Sequence, residues 1–164
     1  MVNLGIKIDD SCIDKWSKLG SPKSTLKGCL LRLSDDYTNI ELVDESDIKI
    51  DDCDAWKNFV KMLPEDACRF GFFDIKMTVT SGATNVPDRT VNKLVLVTWI
   101  GPKSPRKERM IHTTSVMPLK AKLDANIVLT FHGHEDNDLG EIADCIKRKC
   151  GMNSKVVTIE NITL

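Results

Sequence analysis

The residues best suited to a metal ion in this 164-residue chain are His132-Gly133-His134, with Asp136 and Asp138 close behind. A His-x-His pair on a strand turns both rings to one face, which is half of a metal site. A zinc site needs a third strong ligand at a recognisable spacing, and none follows. His134 therefore reads as the start of a strand-to-helix turn whose acids cap the helix. The six cysteines (12, 29, 53, 68, 145, 150) form no Cys-x-x-Cys pair. Cys68 and Cys145 fall on apolar faces, which suits core thiols better than nucleophiles that need an adjacent base. The three histidines lie in no local catalytic signature, and the dinucleotide, P-loop and nucleophile-elbow patterns are absent. No catalytic residue, metal or cofactor is assigned, and the chain reads as a non-enzyme.

Charge is more informative. The formal net charge is −1, so bulk charge steers the protein to neither nucleic acid nor membrane. Its distribution is uneven. Residues 1–66 carry 14 acidic and 9 basic side chains, a difference of −5. Residues 102–123 carry six basic residues (Lys103, Arg106, Lys107, Arg109, Lys120, Lys122) against Glu108, a difference of +5. Such a cluster suits an acidic partner. It equally suits a solvated helix face, and charge alone leaves both readings open. Nucleic acid is disfavoured, because no aromatic residue interleaves the cluster and the chain as a whole is not basic.

The elements that must carry these residues follow from periodicity. Asp9 or Asp10 is placed to cap a first helix with Cys12, Ile13, Trp16 and Leu19 on one face and Gly20 at its end. Cys29, Leu31 and Leu33, then Ile40 and Leu42, alternate around Asp35-Asp36-Tyr37 as a hairpin. Asp52 or Asp54 opens a second helix with the stripe Trp56, Phe59, Val60, Leu63, and Pro64 closes it. Residues 68–79 alternate as a strand, and 80–91 form a polar loop. The unbroken apolar run Leu94–Ile100 is expected to be a central strand covered on both faces. Ser104-Pro105 opens a third helix. Pro118 would interrupt it, so a kink or break is expected near Thr114–Ser115, with Ser115 capping a fresh turn. Its first half would present Arg106, Lys107, Arg109 and Met110, and its second half would bury Leu119 and Leu123. Residues 126–132 form another strand. Asp136 or Asn137 caps a last helix with Leu139, Ile142, Ala143 and Ile146 inward. The tail from Lys155 is β-like, a candidate edge strand. The fold class is α/β of the mixed α+β kind, a central mixed sheet of five to six strands with helices on both faces.

With 41% apolar residues the chain can build one core: a single domain over 1–150 and a tail over 151–164. No run approaches the roughly 20 apolar residues that span a bilayer. Met1 to Asp10 does not have the pattern of a signal peptide, which points to the cytoplasm and makes Asn161-Ile162-Thr163 a chance glycosylation match.

The stretch from Ser104 to Ser115, Ser-Pro-Arg-Lys-Glu-Arg-Met-Ile-His-Thr-Thr-Ser, resembles the long actin-binding helix of ADF/cofilin proteins. That helix has a Pro-x-(Lys/Arg)-x-(Lys/Arg)-Met pattern, a small Ser/Thr-rich stretch and a basic, Leu-rich end, here Leu119-Lys120-Ala121-Lys122-Leu123. Leu4 to Cys12, Cys68 to Asp74 and Lys93 to Trp99 are similar to other family segments, so the resemblance spans roughly residues 4–150. It implies the ADF-homology, gelsolin-like fold. It also implies a cytoskeletal, monomeric protein that binds monomeric actin, with filamentous actin as a second partner, and promotes filament disassembly and turnover. On this resemblance Lys107, Arg109 and Met110, with Arg106 and the N-terminal Leu4 and Gly5, would contact actin. Lys93, Asp144, Lys147 and Arg148 would form the filament-specific surface, and phosphoinositides are a further partner of the basic helix. Leu4 replaces the family's regulatory Ser, so phosphorylation there cannot operate. Val91 stands where many members have a second basic residue, for which Arg89 could substitute. Thr98-Trp99-Ile100-Gly101 resembles the coactosin strand end. The alternative is thus a coactosin-like or glia-maturation-factor-like member that binds filaments or the branch complex without depolymerizing.

Overall fold

The structure is a computed structural model that describes residues 5–80, 86–133, 139–150, 155–160 and 162–163. Its elements run β1 (Lys7–Ile8), α1 (Asp10–Leu19), β2 (Leu26–Leu33), β3 (Asn39–Leu42), β4 (Ile48–Lys49), α2 (Ala55–Lys61), β5 (Cys68–Thr80), β6 (Arg89–Ile100), α3 (Arg106–Leu123), β7 (Val128–Phe131), α4 (Leu139–Cys150), β8 (Lys155–Ile159) and β9 (Ile162–Thr163). The main path of the sheet is β1-β3-β2-β5-β6-β7. It is mixed: β1 with β3 and β6 with β7 are parallel, and the other pairs are antiparallel. The parallel step from β6 to β7 is the crossover that α3 makes, since parallel neighbours cannot be joined by a tight turn.

Alternation along β5 separates two cores. Phe70 and Phe72 face α1 and α3, where they meet Cys12, Leu19, Leu119 and Leu123. Phe73, Ile75, Met77 and Val79 face α2 and α4, where they meet Trp56, Phe59, Ile142, Ala143 and Ile146. Helices thus cover both faces, as the apolar patterning implies. Gly71 is needed because Phe59 packs directly over it: a Cβ there would lie 2.5 Å from the Phe59 ring.

Several sequence expectations need correction. Leu94–Ile100 is buried on both faces through Val95–Trp99, but the hub of the sheet is β5, which pairs with β2, β6 and β8. The helix caps are not side-chain caps. Asp9 and Asp54 occupy the N-cap positions of α1 and α2 without a capping hydrogen bond. Asp52 instead accepts from the Asp54 amide at 2.9 Å and from Asn58 Nδ2 at 2.7 Å. Asp136 and Asn137 lie outside the described residues. The tail does add strands, as its β-like pattern suggests, and they lie off the main path. β8 pairs antiparallel with the far half of β5, Met77↔Ile159 to Thr80↔Lys155, beyond the stretch of β5 that β2 covers.

The largest correction concerns α3, which is one continuous helix through Thr114, Ser115 and Pro118. Ser115 does not start a fresh turn; it is buried, and its hydroxyl donates to the Ile111 carbonyl at 2.5 Å. Thr113 and Thr114 likewise donate to the Arg109 and Met110 carbonyls at 2.7 and 3.1 Å. Pro118 points to solvent, the side on which helix carbonyls tilt outward and leave room for a ring. Leu119 and Leu123, packed in the core beyond it, hold the second half in line. Burial therefore outweighs the cost of about 3 kcal/mol expected for an interior proline.

Candidate functional site: the outer face of the third helix

The start of α3 is fixed from behind by the strand that precedes it. Ser104 donates from its amide and its hydroxyl to the Gly101 carbonyl, at 3.0 and 2.6 Å. The Lys103 amide bonds the Glu65 carbonyl at 2.8 Å, and Trp99 Nε1 donates to the Pro64 carbonyl at 2.6 Å. Gly101 runs so close to the Glu65–Ala67 segment that a Cβ would meet the Glu65 carbonyl oxygen at 2.6 Å and the Ala67 oxygen closer still. Gly101→Ala should therefore destabilise the fold by about 1–3 kcal/mol, the range for overpacked sites, because the obstacles are backbone atoms. A urea midpoint equal to that of the parent would contradict this.

Rotation about the helix axis is set by Glu108 and His112. Glu108, the lone acid among the cations, turns inward and accepts from the Cys68 amide at 3.3 Å. His112 is fully buried. Its ring stacks on Phe70 with centroids 4.0 Å apart, and Nε2 lies 2.7 Å from Thr98 Oγ1. Nδ1 has no hydrogen-bond partner among the described residues. Burial, reinforced by the Arg69 cation, pushes the imidazole pKa down to about 3, so the ring is neutral at physiological pH.

With Glu108 and His112 turned inward, Arg106, Lys107, Arg109 and Met110 are exposed together. Met110 is 63% exposed. Sequence reading missed that Met117 is 67% exposed. Two turns after Met110, it lies on the same face at a distance of roughly 10 Å along the axis. The seven-residue spacing was the available signal; the expected break at Thr114–Ser115 obscured it. The outer face is therefore cationic at its start and carries two flexible apolar side chains along its length.

The N-terminal segment reaches the same region through the β2–β3 turn. β1 pairs with β3, and the Lys7 amide bonds the Thr38 carbonyl at 2.9 Å. Beside Thr38, the Tyr37 ring lies under the Lys107 ammonium, 5.5 Å from its centroid. Gly5 is exposed at φ 65°, a left-handed conformation natural to glycine. Leu4 lies outside the described residues.

The other expected surface is elsewhere. Lys93 is half-buried on β6 opposite Ile75. Asp144 and Arg148 are exposed and Lys147 half-buried on α4, whose inner face packs the α2-side core. Among the described residues no ion pair links Lys93 to these three.

Nothing in the described residues assembles an active centre. No group of three or more His, Cys, Asp or Glu is arranged to hold a metal, while His134, Asp136 and Asp138 lie outside the described residues. All six cysteines are free. Burial pushes the Cys12 and Cys29 thiols up to about 12 and raises Cys68, so these three are protonated and unreactive at neutral pH. No described helix is long and apolar enough to cross a membrane.

Residues 5–151 match the family described as cofilin/tropomyosin-type actin-binding protein. The cofilin of Cryptococcus neoformans var. neoformans serotype D is 28% identical over 120 residues, 73% of this chain and 79% of the relative. The crystal structure of Streptomyces griseoflavus cofilin superposes with a TM-score of 0.68 at 23% identity, covering 88% of this chain and 98% of that one. Entamoeba histolytica coactosin superposes with a TM-score of 0.68 at 17% identity, covering 90% and 98%.

Proposed function

Because this chain belongs to the cofilin/tropomyosin-type family of actin-binding proteins, which act by binding and not by catalysis, we propose that it docks on monomeric actin through the outer face of α3 and promotes filament turnover. The observation that carries this reading is the joint exposure of Lys107, Arg109 and Met110 on a helix whose Glu108 is tethered to β5. Two cations steer docking onto an acidic surface, and an unbranched thioether adapts to an apolar cleft. Arg106, Gly5 and Leu4 flank the contact. Lys93, Asp144, Lys147 and Arg148 are the filament contacts of the proposal. Their effect on the filament is a population shift, in which the conformation bound more tightly becomes the dominant one. Anionic phosphoinositide headgroups would compete for the same cations.

Charge reversal tests the reading. Lys107→Glu with Arg109→Glu should weaken binding to labelled monomeric actin by at least about tenfold, mostly through the association rate. Unchanged affinity would refute the site. Pelleting with filaments at two pH values, measuring both bound protein and residual filament, separates disassembly from stable, coactosin-like decoration. Val91 in place of a basic residue weakens the filament surface and so favours monomer binding over both filament outcomes. The resemblance at Thr98-Trp99 does not favour decoration, because both residues are buried in the core.

A further inference from the structure

The geometry points to Tyr37 as a positioning residue of the actin-docking surface, holding Lys107 in the orientation in which it meets its partner. This rests on the α3 docking reading and adds a residue from a different part of the chain. Three observations carry it. The Lys107 ammonium sits over the Tyr37 ring at 5.5 Å. Tyr37 also packs against the α1/α3 core, so the half-buried ring is a fixed platform. Tyr37 adopts φ 58°, a left-handed conformation unfavourable for a bulky residue.

The turn is built to hold that conformation. The Tyr37 amide donates to the Ser34 carbonyl at 2.9 Å. Asp36 accepts from the Ser34 and Thr38 hydroxyls, each at 2.7 Å, and from the Thr38 amide at 3.2 Å. Ser34 Oγ accepts the Asn39 amide at 3.0 Å. Arg32 pairs with Asp35 beside them. A glycine would meet the backbone requirement at lower cost, so an aromatic residue here is explained by its ring. An exposed lysine has a long, freely rotating stem, and a ring beneath the ammonium narrows that freedom before the partner arrives. Tyr37 also adjoins both stretches proposed to meet actin: its ring meets Lys107 of α3, and its neighbour Thr38 accepts the Lys7 amide of the N-terminal strand.

The test is a double-mutant cycle read by titration with fluorescently labelled monomeric actin. Tyr37→Phe retains the ring face and should bind within about twofold of the parent. Tyr37→Gly suits the left-handed backbone and should bind about two- to fivefold more weakly. In a Lys107→Ala background the same change should have no further effect, because the ring has nothing left to position. If Tyr37→Gly binds like the parent while reversal of Lys107 and Arg109 abolishes binding, this inference fails and the docking reading stands. An equal loss with and without Lys107 also overturns it. If charge reversal is harmless, the docking reading fails and this inference with it.

Discussion

Lys27→Met should destabilise the protein by about 3–5 kcal/mol, the cost of leaving a buried charge without its partner. Lys27 on β2 and Glu160, in the β8–β9 turn, form an ion pair at 2.9 Å with both side chains 8% exposed. The same carboxylate accepts the Lys76 amide at 2.6 Å, and the Glu160 amide donates to the Lys76 carbonyl at 2.8 Å. Glu160 thus completes the β5 ladder between the part paired with β2 and the part paired with β8. Asp74 is close enough to be affected. Its carboxyl pKa is raised chiefly by burial, with Glu160 adding to the rise and Lys27 opposing it. Removing Lys27 leaves two like charges near one another in a poorly solvated site. Met fills the volume, so the loss is electrostatic and not a cavity effect. Adding Glu160→Gln should restore most of the stability, because the amide oxygen can still accept from Lys76. Denaturant unfolding of the single and double variants checks this. A single variant within about 1 kcal/mol of the parent would show that the pair is not structural.

The second large effect is on pH dependence. Stability should fall as the pH drops from 6.5 towards 3, by on the order of 1.4 kcal/mol per pH unit from His112 alone. Burial, with Arg69 as a second cause, lowers the folded-state pKa to about 3, whereas the unfolded imidazole titrates near its ordinary value of about 6.5. Below that value the unfolded chain takes up a proton that the folded chain refuses. The contribution is complete above pH 6.5 and lost progressively below it. His112→Phe keeps the stack on Phe70 and deprives Thr98 of its partner at every pH, so the slope is the readout. Between pH 7 and 5 the parent should lose about 2 kcal/mol more than the variant. Parallel stability curves would contradict the assignment. Because His112 holds the inner face of α3, acid should loosen the helix proposed to dock on actin.

The two core stripes were readable locally, because a helix or strand that buries one face repeats its apolar residues at 3.6 or 2. Phe73-Ile75-Met77-Val79 and Leu139-Ile142-Ala143-Ile146 are such patterns, and the first is buried as read. In the second, Ile142, Ala143 and Ile146 are buried and Leu139 is half-buried. Pro118 was misread for the complementary reason. Propensity counts the missing amide, but the burial of Leu119 and Leu123 comes from β5 and α1, which no window around Pro118 contains. Propensity is a weak prior wherever such packing is available.

By itself the sequence determined the mixed fold class, the identity of most long elements and the basic segment at the start of α3, all properties of neighbouring residues. Which of those residues share a surface was decided only when the sheet assembled. Tyr37 meets Lys107, Glu108 reaches Cys68, and Lys27 closes on Glu160 across positions far apart in the chain. The physical reason is that a charge has no preferred partner until burial removes the competing water. Partner choice then follows the sheet register and the two faces it creates, and neither is encoded at any one site.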